Sequence, residues 1–384
     1  MPNLRSRTDA VRLVTTTKRL EILFCESSPN VGGEELQILL EMESFAAAGH
    51  QATLACRPRS AISMEAARRG ITAVLPLAFR NSVHLPSVIA LRRLIAQRKV
   101  DVAFCHSGHD ANNLALAARL VRKRPTLIRE RTYQLGIPKA YSYNRLVDLT
   151  FVPSHFLRQQ ILANTAIDAR RIVVLRPLVP VAKLEQEAQA PLSAFIAQRI
   201  SQGSPVIVHA AMLRPEKGHW FALQVIAQLK RKFSNLLYVI AGEGGQHCRL
   251  AEETARLKLD RNVVFAGFVR PIAPLYAHAD LVIMPSSYEP LGLSQIEAMA
   301  LGVAVAVSDV GGLPETVRHG ETGLVLPVDD VDAWVRSLGD LLVSRERRKS
   351  LGAAGRASVV AAYSPASHLS RLLFEIAQVQ PATY

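Results

Sequence analysis

Apolar runs of roughly four to eight residues recur along this chain, with amphipathic stretches between most of them, and that alternation constrains the fold more than any other feature. In the first half the runs are LEILFC from Leu20, ATLAC, DVAFC, TLIRE, LTFVP and IVVLRP, with a helical segment expected over 34–48. In the second half they are VIVHAAML, LLYVIAG, NVVFAG, LVIMP, VAVAVS and GLVLP. Strands that alternate with helices pair in parallel and are covered on both faces. The expectation is an α/β protein with two doubly wound, Rossmann-like domains facing across a cleft. The pattern breaks between Pro177 and Pro205, where Pro180, Pro191 and Gly203 interrupt a stretch rich in Ala and Gln, and the link between domains is expected there. The reading is therefore 1–180 for the first domain, 181–204 for the linker, 205–364 for the second domain and 365–384 for a closing helix. Periodicity leaves open whether that helix packs on its own domain or crosses back to the first. With 384 residues and 49% hydrophobic content, the chain can fill two cores.

In doubly wound sheets, ligands bind beyond the carboxyl ends of the strands. Six chemically suggestive loops fall there: 27–33, 106–110, 214–217, 242–245, 267–270 and 286–292. The last opens the segment SSYEPLGLSQIEAMALG at 286–302, which sets Glu289 on a loop and Glu297 eight residues later on a helix. Gly292 allows the turn between them. The first N–H groups of a helix lack partners within it, which suits a diphosphate, and carboxylates accept hydrogen bonds from sugar hydroxyls.

With these residues in view, the chain resembles the GT-B glycosyltransferases, specifically the large retaining family 4, from about residue 20 to 380. The resemblance rests on GGEE at 32–35, DVAFCHSGHD at 101–110, RPEKG at 214–218, AGEGG at 241–245, FAGFV at 265–269, the two-Glu segment, and SDVGGLPETVRHGETGLVLP at 308–327. It implies transfer of a sugar, with retention, from a nucleoside diphosphate sugar to a hydroxyl. Retention in this family is commonly described as a same-face substitution in which the departing phosphate helps deprotonate the acceptor. The resemblance further implies that His106, Lys217 and Glu289 carry the chemistry. Donor contacts would come from Gly33, Arg214, Lys217, Gly242, Glu289, the backbone of Gly292 and Leu293, the backbone around Phe268 and Val269 for the base, and Glu297 for the ribose. Gly32 would line the acceptor side, with Arg129, Arg131 and Tyr133 as candidate acceptor contacts. The sequence departs from the family at Met212, where an arginine is usual and where Arg214 can act instead, and at Phe104, where a histidine often precedes the one at His106. His109 reads as an ordinary loop residue.

Asp330 and Asp332 spell DxD, a metal–diphosphate pattern in another glycosyltransferase architecture, but they precede a helix whose N–H groups they can cap. No cofactor and no essential metal are expected. The 46 Lys and Arg outnumber the 32 Asp and Glu, and residues 1–185 hold 27 of the basic and 14 of the acidic side chains. So one-sided a field points to a polyanionic partner. Arg92, Arg93, Arg98 and Lys99 on an amphipathic segment, and 122–124 at a helix end, lack the interleaved aromatics that stack bases. Nucleic acid is thus disfavoured, and the expected partners are a nucleotide sugar, a glycan, lipopolysaccharide or glycolipid acceptor, and an anionic membrane surface. Arg5, Arg7, Arg12, Lys18 and Arg19 precede no signal-like apolar stretch, and no run approaches roughly 20 apolar residues. The expected location is the cytoplasm, peripheral on the inner membrane face. Cys25, Cys56, Cys105 and Cys248 show no CxxC spacing, and the first three read as buried hydrophobes. A dinucleotide oxidoreductase would need GxGxxG after a strand, whereas the first loop reads SSPNVGGEE and AGEGG lacks the third glycine. A catalytically silent scaffold is the remaining rival.

Overall fold

The computed structural model describes residues 18–29, 32–134, 136–200 and 204–379; Arg5, Arg7 and Arg12 lie outside them. The first sheet comprises β1 (Glu21–Glu26), β2 (Gln51–Cys56), β3 (Val74–Pro76), β4 (Val102–Cys105), β5 (Thr126–Glu130), β6 (Leu149–Val152) and β7 (Ile172–Val174). They lie in the order β3-β2-β1-β4-β5-β6-β7, and every pairing is parallel. The second sheet comprises β8 (Val206–Ala210), β9 (Leu237–Ala241), β10 (Val263–Gly267), β11 (Leu281–Met284), β12 (Ala304–Ser308) and β13 (Leu324–Leu326). Its order is β10-β9-β8-β11-β12-β13, again all parallel. These are the two doubly wound, Rossmann-like domains that the alternation of strands and helices led us to expect. Strand β3 is the one strand that the apolar runs did not signal: three half-exposed residues at a sheet edge need no continuous apolar stretch.

Both faces of each sheet are covered, which is why the strands are apolar throughout. In β8, Val206 and Val208 join the core on one face while Ile207 joins the core on the other. In β1, Ile22 and Phe24 pack to one side and Leu23 and Cys25 to the other. Phe104 stacks on Phe24, its register partner in β1, at 4.7 Å between ring centroids and 8° between planes. The position where a second cleft histidine is frequent in the resembled family is therefore filled by a core aromatic, whose burial contributes about 1.5–3 kcal/mol. Cys25, Cys56 and Cys105 are buried and Cys248 is exposed.

Residues 181–200 are more than a tether. They form the helices Val181–Glu187 and Ala194–Ile200, whose Leu184 and Ile196 enter the core of the second sheet. Helix Pro365–Gln378 returns to the first domain, where Leu372 and Leu373 pack with Ile22, Phe24 and Phe104. His368 on this helix bonds to the Arg176 carbonyl at 2.7 Å and lies 3.0 Å from Glu41 on helix Gly33–Ala47. The chain thus crosses between domains twice, and the crossings touch: the Val179 N–H donates to the Tyr363 carbonyl at 2.7 Å. No described helix is long and apolar enough to cross a membrane.

Candidate active site

Each sheet reverses its winding once, between β1 and β4 in the first domain and between β8 and β11 in the second. At such a point the loops on either side diverge and leave a crevice at the carboxyl ends of the strands. The described residues 27–29 and 32–33, with the loop 106–110, flank one crevice, and 211–218 and 285–293 flank the other.

In the second domain, the loop after β8 ends in a short 3-10 turn, Pro215–Lys217, which carries Lys217 back over the sheet. Its Nζ meets Glu289 Oε2 at 2.5 Å, and both side chains keep only a small exposed fraction, 15% and 10%. The loops that bear them are laced together: the Ser287 N–H donates to the Glu216 carbonyl at 2.9 Å, and Ser294 Oγ donates to the Ala210 carbonyl at 2.7 Å. From behind, Gly311 and Gly312 pack directly on the Glu289–Pro290 peptides, and the Gly312 N–H donates to the Glu289 carbonyl. A Cβ on either would stand 2.0 Å from the Glu289 or Pro290 carbonyl oxygen, so only glycine permits this approach. The double glycine of SDVGGLPE is a support for the Glu289 loop. Its Glu315 has a separate task, accepting the N–H groups of His155 and Phe156 at 2.8 and 2.7 Å and so capping helix His155–Leu162 of the first domain.

Two histidines that sequence reasoning passed over lie within electrostatic reach of Lys217. His209 in β8 and His219 at the head of helix His219–Leu229 stack at 4.1 Å, both buried. His219 Nε2 donates to the Met212 carbonyl at 3.2 Å, which steadies the loop, and His209 Nδ1 pairs with the Tyr238 hydroxyl at 2.8 Å. Burial first, and Lys217 as a further cause, hold His209 well below the ordinary imidazole range and push His219 down to about 4. The ammonium therefore acts near two neutral rings. No local motif marks them, because their meeting depends on a strand and a helix packing together.

The remaining donor positions fall as follows. Arg214 is exposed and stands 4.0 Å from Glu216. Met212 is 46% exposed. Gly242 follows β9, where a Cβ would lie 2.0 Å from the Ala211 carbonyl, and Gly292 turns the chain into helix Ser294–Ala300 at φ +83°. Glu297 on that helix is half-buried, and burial followed by Glu187 raises its carboxyl to about 7 against the pull of Arg270. Phe268 is exposed after β10 with Arg270 over its ring at 5.6 Å, while Val269 packs on the core. Gly33 of the first domain faces Leu293 of the second so closely that a Cβ there would reach Leu293 Cδ1 at 2.8 Å. Gly32 caps helix Gly33–Ala47, with its N–H donating to Glu35 at 2.6 Å.

In the first domain His106 ends β4, and its ring is enclosed. Nδ1 faces the Cys25 carbonyl at 3.0 Å and Nε2 faces Glu130 Oε2 at 3.2 Å, so both ring nitrogens meet acceptors. Burial opposes a charge there, but the hydrogen bond and charge of Glu130, with Glu26 and Glu34, hold the imidazole well above its usual range. Four carboxyls, those of Glu26, Glu34, Asp110 and Glu130, surround this one cation. Burial, and next Asp110, raise Glu26 to about 8, and burial raises Glu34 to about 7. Glu26, His106 and Asp110 bring potential metal-ligand atoms within 4.8 Å of one another. Those atoms are largely committed already: both Asp110 oxygens accept from Ser107 N–H and one from Ser27 N–H, Glu26 Oε1 accepts from Ser28, and His106 Nδ1 serves Cys25. Asp330 Oδ1 accepts the Ala333 N–H at 2.9 Å and caps helix Val331–Val343.

The acceptor candidates divide. Arg129 is buried, bonded to Ser142 at 3.3 Å and placed over the Tyr143 ring at 5.3 Å, which makes it an internal strut of the first domain. Arg131 is half-buried, and Tyr133 reaches the second domain, meeting Tyr288 edge-on at 5.2 Å.

Carboxyls raised by burial bind more protons in the folded state than in the unfolded state between about pH 4.5 and their folded values, and a raised imidazole does the same above about 6.5. Stability from this cluster must therefore fall as pH rises through that window. Glu26→Gln is expected to remove much of the slope, gaining on the order of 2 kcal/mol relative to wild type between pH 5.5 and pH 8.5. Urea melts at the two pH values check this, and parallel curves for the two proteins would refute it.

The sequence matches two family descriptions, Glycosyltransferase Family 4 over residues 31–183 and Glycosyl transferases group 1 over residues 194–358. A relative from Mycobacterium tuberculosis, a GDP-mannose-dependent alpha-(1-6)-phosphatidylinositol monomannoside mannosyltransferase, is 29% identical over 71% of this chain and 74% of its own length. Among solved structures, a glycosyltransferase from Rickettsia africae superposes with a TM-score of 0.81 at 19% identity, covering 95% of this chain and all of that one. Anabaena HepE, solved with UDP and glucose, gives 0.78 at 18% identity over 94% of this chain and all of that one. With both domains matched and both winding reversals equipped as described, this chain belongs to the GT-B glycosyltransferases of family 4.

Proposed function

We propose that the protein transfers a hexose, with retention, from a nucleoside diphosphate sugar to a hydroxyl of a lipid-linked or envelope glycan acceptor on an anionic membrane. The observation that carries this reading is the Lys217–Glu289 pair, 2.5 Å apart at the winding reversal of the second domain, with Gly33 of the first domain closing on Leu293 beside it. Glu289 accepts hydroxyls of the transferred sugar, and Lys217 exchanges its carboxylate partner for the diphosphate. As the glycosidic C–O bond breaks, negative charge grows on the phosphate oxygen, where Lys217, Arg214 and the N–H groups at Gly292 and Leu293 offset it. The acceptor oxygen bonds to the anomeric carbon from the face the phosphate leaves, and its proton passes to the departing phosphate, which completes the exchange without a metal. Glu297 receives the ribose, and Phe268 and Val269 flank the base. On the acceptor side, Gly32, Arg131 and Tyr133 line the approach, and Glu130 positions His106.

The base separates the precedents, since the mycobacterial relative is named for GDP-mannose and the Anabaena structure holds UDP. A ligand that binds only the folded state raises apparent stability by RT ln(1 + [L]/Kd), about 2.7 kcal/mol at 100 times Kd. Thermal melts with UDP, GDP and ADP sugars in EDTA are expected to show a concentration-dependent rise for one base. Flat melting temperatures with all three, or a rise that needs added divalent metal, would count against the reading.

A further inference from the structure

The residues on either side of Glu289 are held by the first domain. Helix His155–Leu162 follows β6 there, and its N-cap Ser154 is fully buried. Ser154 Oγ accepts the Leu157 N–H at 3.1 Å, as a cap does, and donates its own proton to the Pro290 carbonyl at 2.6 Å. A hydroxyl both donates and accepts, whereas an ionised aspartate in its place would cap the helix but offer Pro290 no proton. Gly312 lies against the same carbonyl, where a Cβ would stand 2.0 Å from the oxygen. Phe156 and Gln160, four apart and so on one side of the helix, both meet Tyr288. The Phe156 and Tyr288 rings stand edge-on at 6.0 Å, and the Tyr288 hydroxyl donates to Gln160 Oε1 at 2.9 Å.

Fixing the side chain before Glu289 and the carbonyl after it leaves the residue between them little rotation of its own, and its carboxylate is delivered to Lys217. Joining the domains is a task that Glu315 already meets, by accepting the His155 and Phe156 N–H groups at the head of the same helix. Ser154 and Gln160 reach instead to the two neighbours of the acid. We infer that Ser154 and Gln160 are positioning residues for Glu289: from the first domain they set the direction of a carboxylate that the second domain carries. The inference deepens the reading of Glu289 as acceptor of the transferred sugar's hydroxyls and rests on it.

Hydrolysis of the donor, which needs no acceptor, tests it on the full chain with UDP-glucose, GDP-mannose or ADP-glucose, whichever raises the wild-type melting temperature. Ser154→Ala is expected to lower kcat about tenfold, and Gln160→Met, which keeps the length of the side chain but removes the acceptor, about 3–10-fold. Affinity for the sugar-free nucleoside diphosphate should stay as in wild type, because no group that meets the nucleotide is altered, while affinity for the sugar nucleotide falls. Ser344→Ala isolates the loss of a serine cap: Ser344 Oγ accepts the Arg347 N–H at 3.2 Å at the head of helix Arg345–Ala362, and turnover of this variant should match wild type. The decisive measurement is made in a Glu289→Ala background, where there is no carboxylate to aim. There both changes should cost less than about twofold, because residues that act through one group are not additive with its loss. The same factors with and without Glu289, equal weakening of nucleoside diphosphate and sugar nucleotide, or wild-type kcat for both variants overturns the inference while leaving the sugar site intact. Failure of all three donors to bind, or wild-type hydrolysis by Glu289→Ala itself, removes the reading of Glu289 and the inference with it.

Discussion

Lys217→Ala is expected to slow sugar transfer by about 10²–10³-fold, the range seen when one preorganised group facing developing negative charge is removed. The loss should fall mainly on kcat, because the charge it answers is greatest once the phosphate is departing. A modest drop in melting temperature should accompany it, since Glu289 loses its partner at 2.5 Å in a pocket where it is only 10% exposed. Glu289→Gln keeps the shape and a hydrogen-bonding end while removing the charge. Its transfer rate should fall comparably, with little change in stability. Steady-state rates and melting curves on both variants decide the matter: wild-type turnover by the pair would end the mechanism proposed for this cleft.

The second large effect is expected from a residue that touches no substrate. Gly311→Ala places a methyl 2.0 Å from the Glu289 carbonyl oxygen at a backbone φ of +62°, so the Glu289 loop must move. Left-handed backbone costs an alanine about 1–2 kcal/mol, and a displacement near 1 Å at a reacting group costs on the order of 10²-fold in rate. Transfer should therefore fall about a hundredfold while the domain stays folded. Gly302→Ala is the matched control, because its φ is +75° but a Cβ there meets nothing within 4 Å. It should lower the melting temperature by the backbone cost alone, less than Gly311→Ala does, and leave turnover intact. Equal activity of the two variants would show that the glycine pair does not govern the placement of Glu289.

What the sequence revealed and what it concealed follow from the range of the interactions involved. Two-sided burial writes itself into a strand locally, as in LVIM at β11, and the site loops follow because they occupy the carboxyl ends of such strands. Lys217 and Glu289 each stand in a motif visible in the sequence, and the structure brings these two side chains together across 72 positions. Glu130 was not, since its role depends on a neighbouring strand delivering His106 to it. Arg129, its neighbour on the same strand, looked like an acceptor contact, but Tyr143 and Ser142 enclose it. Glu315 reads locally as part of a loop motif, and only the apposition of the two domains shows it capping a helix on the far side. The destination of the closing helix was likewise undetermined, because an amphipathic face specifies that it must be covered and not by what.

The double crossing carries a mechanical corollary. Two covalent straps that run side by side and are pinned together at Val179 and Tyr363 resist twisting and sliding far more than they resist bending. Any opening of one lobe from the other would have to swing about the line of these paired crossings. Removing the tail from Pro365 onward would do more than strip Leu372 and Leu373 from the first core: it would cut one of the two straps and let the lobes turn past each other.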